Sequence, residues 1–211
     1  MNLEAEFGAI DIYLFDQILR GRITPRDRVF DAGCGSGRNL TYLLKAGAEV
    51  YGVDADPDAI HEVRTLAARL APSLSPDNFR AEPVQRASFP DGQATVVISS
   101  AVLHFSRDDA EFDAMLAGTW RVLKSGGLLF CRLASSIGFE TRVRRVGGTD
   151  GVPAWSGRGR YQLPDGTTRY LVDETYLVDR TRTLGGKLLD PIKTTVVQNQ
   201  RSMTTWVVRK D

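Results

Sequence analysis

The stretch FDAGCGSGRN, Phe30 to Asn39, with VYGVDADP following from Val50, constrains this chain more than any other feature. A short apolar run opens onto glycines at alternate positions, Gly33, Gly35 and Gly37, and a second apolar run ends on the carboxylate of Asp54. Glycine has no Cβ and tolerates positive φ. Such a loop can turn sharply and press its N–H groups against a ligand that larger residues would exclude. A carboxylate at the tip of the neighbouring strand is placed to accept both hydroxyls of a ribose. Strand, glycine loop, helix and second strand make half of a nucleotide-cofactor site.

The spacing narrows the nucleotide. A nicotinamide fingerprint, G-x-G-x-x-G, needs glycine where this chain has Arg38, and no phosphate-cradling G-x-x-x-x-G-K-[ST] occurs. Asp31, at the end of the first strand, is awkward beside a pyrophosphate and well suited to an ammonium or sulfonium. Taken alone, the loop also fits a dinucleotide-site variant or a glycine turn without a ligand. Asp31, the G-x-G-x-G spacing and Asp54 taken together resemble the class I S-adenosylmethionine-dependent methyltransferases. The resemblance implies S-adenosylmethionine as cofactor, with Asp31 facing its methionine end, Gly33 to Gly37 passing beneath it and Asp54 holding the ribose. It extends the expected cofactor contacts to Cys34, Arg38, Asn39, Ala55, Val84 and Ser99.

The chain has 211 residues, enough for one domain with a substantial core, and 42% hydrophobic and 25% charged residues are ordinary for a globular protein. A net charge of +1 gives no prior for a nucleic-acid partner. No apolar run has the length of a membrane span and no cationic, then apolar, leader opens the sequence, so a cytoplasmic location is expected. Cys34 and Cys131 have no partners at metal-ligand spacing, so no metal site is expected. If the family's strand order holds, a third strand separates them beyond disulfide reach. Cys34 reads as a small residue filling a tight loop.

Along the chain, Ile10 to Leu19 reads as a mostly buried helix ended by Gly21 and Pro25, within an N-terminal helical segment 1–27. Arg28 to Ala32 is the first strand, Gly37 to Ala46 a helix stopped by Gly47, and Glu49 to Asp54 the second strand. Asp56 and Pro57 start a helix with Ile60, Val63, Ala67 and Leu70 on one face. Phe79 to Val84, Ala94 to Val102 and Gly127 to Ala134 are further strands, with a core-facing stripe of Phe112, Met115, Leu116, Thr119, Trp120 and Leu123 between the last two. Gly138 to Arg160 shows no period and reads as a mobile lid inside an insert at 138–172. Tyr161 to Val172 alternates around Pro164-Asp165-Gly166, and Asp173 to Leu184 is helical. Lys193 to Gln198 and Ser202 to Arg209 form a terminal hairpin. The expectation is one domain over 1–211: a doubly wound α/β fold with a mostly parallel seven-stranded sheet ending in an antiparallel hairpin. The parallel-to-antiparallel ending is again similar to class I methyltransferases.

Trp120 to Phe130 (WRVLKSGGLLF) resembles the helix, turn and fifth strand that many of these enzymes share, and FPDG at 89–92 with VVISSAVLHF at 96–105 resembles the fourth-strand region of the family's small-molecule branch. Pro83 stands where the family often has an adenine-binding acid, and Thr95 replaces a common aspartate. The [DN]-P-P-[YFW] sequence of enzymes that methylate base or glutamine amines is absent; Ser99-Ser100-Ala101-Val102 stands there. The implied activity is methyl transfer to a small-molecule acceptor, with no nucleic acid and no membrane as partner. A protein or RNA methyltransferase, and a cofactor-binding protein without catalysis, are the alternatives. Acceptor walls are expected from Ser100, Val102, His104, Arg132 and Ser135, with the N-terminal helix around Tyr13 closing one side. Arg142, Arg144 and Arg145 could contact an anionic acceptor. His104, just past the fourth strand, is the candidate to take a proton from the acceptor, since an imidazole titrates near neutral pH.

Overall fold

The computed structural model describes residues 2–138, 143–146 and 157–211. Helices Leu3–Phe7 (α1) and Ile12–Leu19 (α2) lead into strand Arg28–Ala32 (β1), helix Thr41–Lys45 (α3), strand Glu49–Asp54 (β2), helix Pro57–Leu70 (α4) and strand Phe79–Ala81 (β3). Strand Ala94–Ser100 (β4), helix Asp109–Val122 (α5) and strand Leu123–Ala134 (β5) follow. Short strands Arg144–Arg145 (β6), Arg158–Gln162 (β7) and Thr168–Val172 (β8) precede helix Glu174–Thr183 (α6). Strands Gly186–Leu188 (β9), Lys193–Val197 (β10) and Arg201–Lys210 (β11) end the chain.

The main sheet has the order β10-β11-β5-β4-β1-β2-β3, with β9 also paired to β11. β3, β2, β1, β4 and β5 are parallel, and β11 runs antiparallel to β5. The eighth strand is a correction in count only. β5 covers one edge of β11, so β9 and β10 share the other, interrupted around Pro191, whose missing N–H cannot join a ladder.

Alternate residues of each central strand enter two different cores, which is why these strands are apolar throughout. Val29, Val96, Ile98, Leu128 and Phe130 pack with α2, α3 and α4, while Phe30, Val97, Leu129, Cys131 and Leu133 pack with α5 and α6. The stripe Phe112, Met115, Leu116, Thr119 and Trp120 is buried as expected. Asp56 caps α4 through the Asp58 N–H, and Pro57 occupies the first turn, where its missing donor costs nothing.

Several boundaries differ from expectation for local reasons. Residues 37–40 make a turn closed by Leu40 N–H to the Gly37 carbonyl, so α3 starts only at Thr41. Pro83 ends β3 early and starts a 3₁₀ turn, Val84–Arg86. α1 lies in the N-terminal helical segment, ahead of the helix read over Ile10 to Leu19, and Asn2 caps it. Of the expected lid, 139–142 and 147–156, including Arg142, lie outside the described residues. Arg144–Arg145 and Arg158–Arg160 are not loop but strand, in a three-stranded antiparallel sheet β6-β7-β8.

That small sheet is fastened to α5 by charge. Arg158 on β7 donates to both oxygens of Asp113 (2.7 and 3.1 Å), Arg180 on α6 donates at 2.7 Å, and the Tyr170 hydroxyl donates to Asp109 at 2.7 Å. The hydrogen bond from Arg158 holds the Asp113 pKa below its ordinary value despite partial burial. Stability from a depressed carboxylate is present above the unfolded pKa and lost as pH falls through the folded one. Asp113→Asn should therefore cost about 1 to 2 kcal/mol at pH 7, because the site is part-exposed and screened. In urea melts the gap from the unsubstituted protein should shrink below about pH 4; an equal gap at pH 7 and pH 3 would remove this role.

Candidate active site

Strand order reverses between β1 and β4, so their C-terminal ends diverge and leave a crevice. The glycine loop leaves β1 on one side of it. Gly33 and Cys34 N–H groups both donate to the Val53 carbonyl at 2.9 Å, and Gly33 lies at φ +83°. A Cβ there would meet Val102 at 2.5 Å, and one on Gly37, at φ +85°, would meet Val63 and Leu66 at 2.8 and 2.9 Å. Only glycine fits either position.

A cavity of about 370 Å³ opens here, lined by Gly33, Asp54, Ala55, Pro83, Val84 and Gln85, with Phe105, Glu111 and Met115 opposite. Asp54 is positioned by the loop it faces: its carboxylate accepts from Gly35 N–H at 2.9 Å and from Asp56 N–H at 3.0 Å. Asp31 is buried, 1% exposed, and neither carboxylate oxygen has a hydrogen-bond partner among the described residues. Burial raises its pKa to about 8; Arg38 opposes the shift and Asp54 adds to it. An isolated buried carboxylate lacks the cation or donors that would stabilise its charge. An ammonium would supply what it lacks, although Asp31 itself lines neither cavity described here.

The other expected contacts divide. Ala55 and Val84 face the cavity. Cys34 is buried against Gly52, its thiol pKa pushed up by burial and by Asp31 and Asp54, as for a loop filler and not a nucleophile. Arg38 donates to Ser100 Oγ at 3.3 Å. Asn39 is buried, with its side-chain oxygen accepting the Asp11 N–H at 3.0 Å. Ser99 is fully buried within β4 and lines neither cavity described here. Glu82 turns away to Ser88 (2.7 and 2.6 Å), leaving that wall of the cavity to Pro83, Val84 and Gln85.

A second cavity of about 350 Å³ shares Ala101 and Phe105 with the first. Ala101 lies at φ +65°, a strained conformation for a residue with a side chain, at the point where the two meet. Of the expected acceptor walls, His104 and Arg132 line this second cavity and Val102 the first. Ser100 lies just behind, joined to Asp11 at 3.3 Å, and Asp11 takes a 2.8 Å ion pair from Arg132. Ser135 is buried and turned to Thr204 at 2.6 Å, away from the cavity. Tyr13 lies 5.2 Å from the Arg132 guanidinium and bonds Thr195 at 2.5 Å, tying α2 across β5 and β10.

His104 is placed differently from the expected proton acceptor. Its Nδ1 accepts the Ala134 N–H at 3.1 Å, so the neutral ring carries its proton on Nε2 and offers a donor. Burial, with Arg169 and Arg132 adding to it, lowers its pKa to about 4. Between pH 4 and 6.5 the unfolded chain takes up a proton that the folded imidazole excludes, so stability falls as pH drops through that window. Proton NMR should find the His104 ring resonances unmoved from pH 8 to pH 5.5; a midpoint near 6.5 would restore it as a candidate base.

Gln85, Phe105, Glu111, Met115, Arg169 and Arg201 escaped sequence reading. Met115 belonged to the core stripe, where helical spacing cannot show that one turn looks into a cavity. Arg169 and Arg201 come from two separate hairpins and carry no local signal.

A glycine loop and two acids on a 3-2-1-4-5 parallel core closed by an antiparallel pair is an arrangement similar to that of class I S-adenosylmethionine-dependent methyltransferase domains. The sequence agrees: residues 30–131 match the family described as methyltransferase domain. The chain is 32% identical over 108 residues to an uncharacterized methyltransferase of Synechocystis, covering 50% of this chain and 46% of that protein. It is 27% identical over 135 residues to the ubiquinone biosynthesis O-methyltransferase of Ruegeria, covering 64% and 52%. The chain thus spans about half the length of the curated relatives it matches. The fold is similar to that of Burkholderia thailandensis 1,6-didemethyltoxoflavin-N1-methyltransferase, crystallised with 1,6-didemethyltoxoflavin and S-adenosylhomocysteine. There the TM-score is 0.67 at 18% identity, over 100% of this chain and 82% of that one. Among the described residues no helix is long and apolar enough to cross a membrane.

Proposed function

We propose that this chain transfers the methyl group of S-adenosylmethionine to a small-molecule acceptor. One observation carries the reading: two cavities of about 370 and 350 Å³ meet at Ala101 and Phe105, one beside the glycine loop and the other walled by the β7–β8 and β10–β11 hairpins. Each suits a compact ligand. The similar Burkholderia and Ruegeria proteins, a 1,6-didemethyltoxoflavin and a ubiquinone biosynthesis methyltransferase, support a small acceptor.

In this reading Asp31 pairs with the cofactor's ammonium, Asp54 holds its ribose, and Pro83, Val84 and Gln85 flank its adenine. When bound, the cofactor supplies a methyl group already activated on a sulfonium. The chain's task is then alignment and exclusion of water, and good alignment can supply about 7 to 11 kcal/mol. His104 Nε2–H and Arg132 orient the acceptor without removing a proton. Formation of S-adenosylhomocysteine across a panel of small metabolites tests the activity. Turnover with at least one member is expected; turnover only with RNA or protein substrates would replace the acceptor class.

A further inference from the structure

The polar lining of the second cavity is dominated by hydrogen-bond donors. Arg38, His104, Arg132, Arg169 and Arg201 line it, against one lining carboxylate, Asp165. Asp165 is already engaged by the Thr167 N–H and hydroxyl at 2.9 and 2.6 Å. Arg132 is paired with Asp11, yet its buried Nε has no partner among the described residues. Among those residues no carboxylate lies within ion-pair distance of Arg38, Arg169 or Arg201. Arg169 rests over the Phe105 ring at 4.9 Å, and among the described residues it donates to the Thr168 carbonyl at 2.8 Å. The His104 Nε2–H adds a further donor. Phe105, Leu163, Val197 and Met203 supply an apolar wall beside these cations.

A cavity of donors recognises acceptor atoms, and guanidinium groups match the planar or tetrahedral oxygens of an oxyacid. Arg38 donates to Ser100 and Arg132 pairs with Asp11, so both are already engaged by the chain. Arg169 and Arg201, on opposite hairpins, are left to the acceptor. Resting on the reading above, we propose that the acceptor is a small organic anion, a carboxylate or phosphate on an apolar or aromatic body. Arg169 and Arg201 hold the anionic oxygens, and Phe105 and Met203 contact the body.

The test uses the full chain saturated with S-adenosylhomocysteine, whose own binding is first measured by calorimetry. Benzoate, 4-hydroxybenzoate and phenyl phosphate are then titrated by saturation-transfer NMR, alongside benzamide and 4-hydroxybenzamide as uncharged counterparts. The anions should bind at least fivefold more tightly than the amides, and the carboxylate–phosphate comparison identifies the preferred oxyacid. Arg169→Gln with Arg201→Gln should remove that preference and leave S-adenosylhomocysteine affinity within twofold, which also shows that the variant folds. Equal binding of anions and amides, no binding of either, or an anion preference that survives the double substitution would overturn the proposal. So would a single-stranded RNA oligomer displacing phenyl phosphate at micromolar concentration. Failure to bind S-adenosylhomocysteine would instead remove the cofactor reading beneath it.

Discussion

Asp31→Asn should weaken S-adenosylhomocysteine binding at least tenfold at pH 7 and remove the pH dependence of that binding. In the unliganded chain the Asp31 pKa stands at about 8 because burial disfavours its charge. A bound ammonium favours the ionised form, so binding must expel the proton. Below pH 8 the affinity should therefore rise with pH, by up to about tenfold per unit between pH 5.5 and 7.5, with nearly one proton released. The charge-assisted contact itself is worth roughly 1.5 to 3 kcal/mol, or about ten- to a hundredfold in affinity. The linkage has a second consequence without ligand. A carboxylate whose folded pKa is raised binds more protons folded than unfolded between about pH 4 and 8, so unliganded stability should fall as pH rises through that window. Calorimetry in two buffers of different ionisation enthalpy, repeated from pH 5.5 to 7.5, measures the proton release directly. Binding with no proton release in the unsubstituted protein would contradict this account of Asp31.

Gly33→Ala should destabilise the fold by about 2 to 5 kcal/mol, the sum of a left-handed backbone penalty and forced repacking. For a chain of this size that corresponds to roughly 5 to 15 °C in melting temperature. The new Cβ would stand 2.5 and 2.8 Å from the two methyls of Val102, a stiff side chain that cannot swing its far end away. Gly47→Ala isolates the backbone contribution. Gly47 lies at φ +81°, with nothing within 4 Å of its added Cβ. Its cost should be only about 1 to 2 kcal/mol. Equal melting temperatures for the two variants would mean that Val102 yields freely and that the loop has no steric need for glycine at 33.

The parallel core and its crevice were legible because each rests on local signals. The runs at Arg28–Ala32 and Ala94–Ser100 are apolar on both faces, as strands covered on both sides must be, and Asp56-Pro57 marks a helix start without tertiary help. The glycine loop was legible for the same reason: a turn at positive φ leaves its requirement in the residue type. What stayed hidden depends on distant partners. β9 and β10 share one sheet edge only because β11 offers it, and the small sheet docks through Arg158 and Asp113, 45 residues apart. His104 was placed at the right strand end, but its role turned on the Ala134 N–H, from another strand, taking up Nδ1. The donor-lined second cavity is the extreme case, since Arg169 and Arg201 meet only through topology.

The central claim is that the crevice beside Gly33 and Asp54 holds S-adenosylmethionine. Calorimetric titration of the unsubstituted protein with S-adenosylmethionine and, separately, with NAD tests it most directly, with Asp54→Ala as the paired variant. The account predicts binding of S-adenosylmethionine at one site, no heat from NAD, and at least a tenfold loss in Asp54→Ala, since a charge-assisted hydrogen bond is worth roughly 1.5 to 3 kcal/mol. Binding of NAD, or S-adenosylmethionine affinity unchanged by Asp54→Ala, would contradict it.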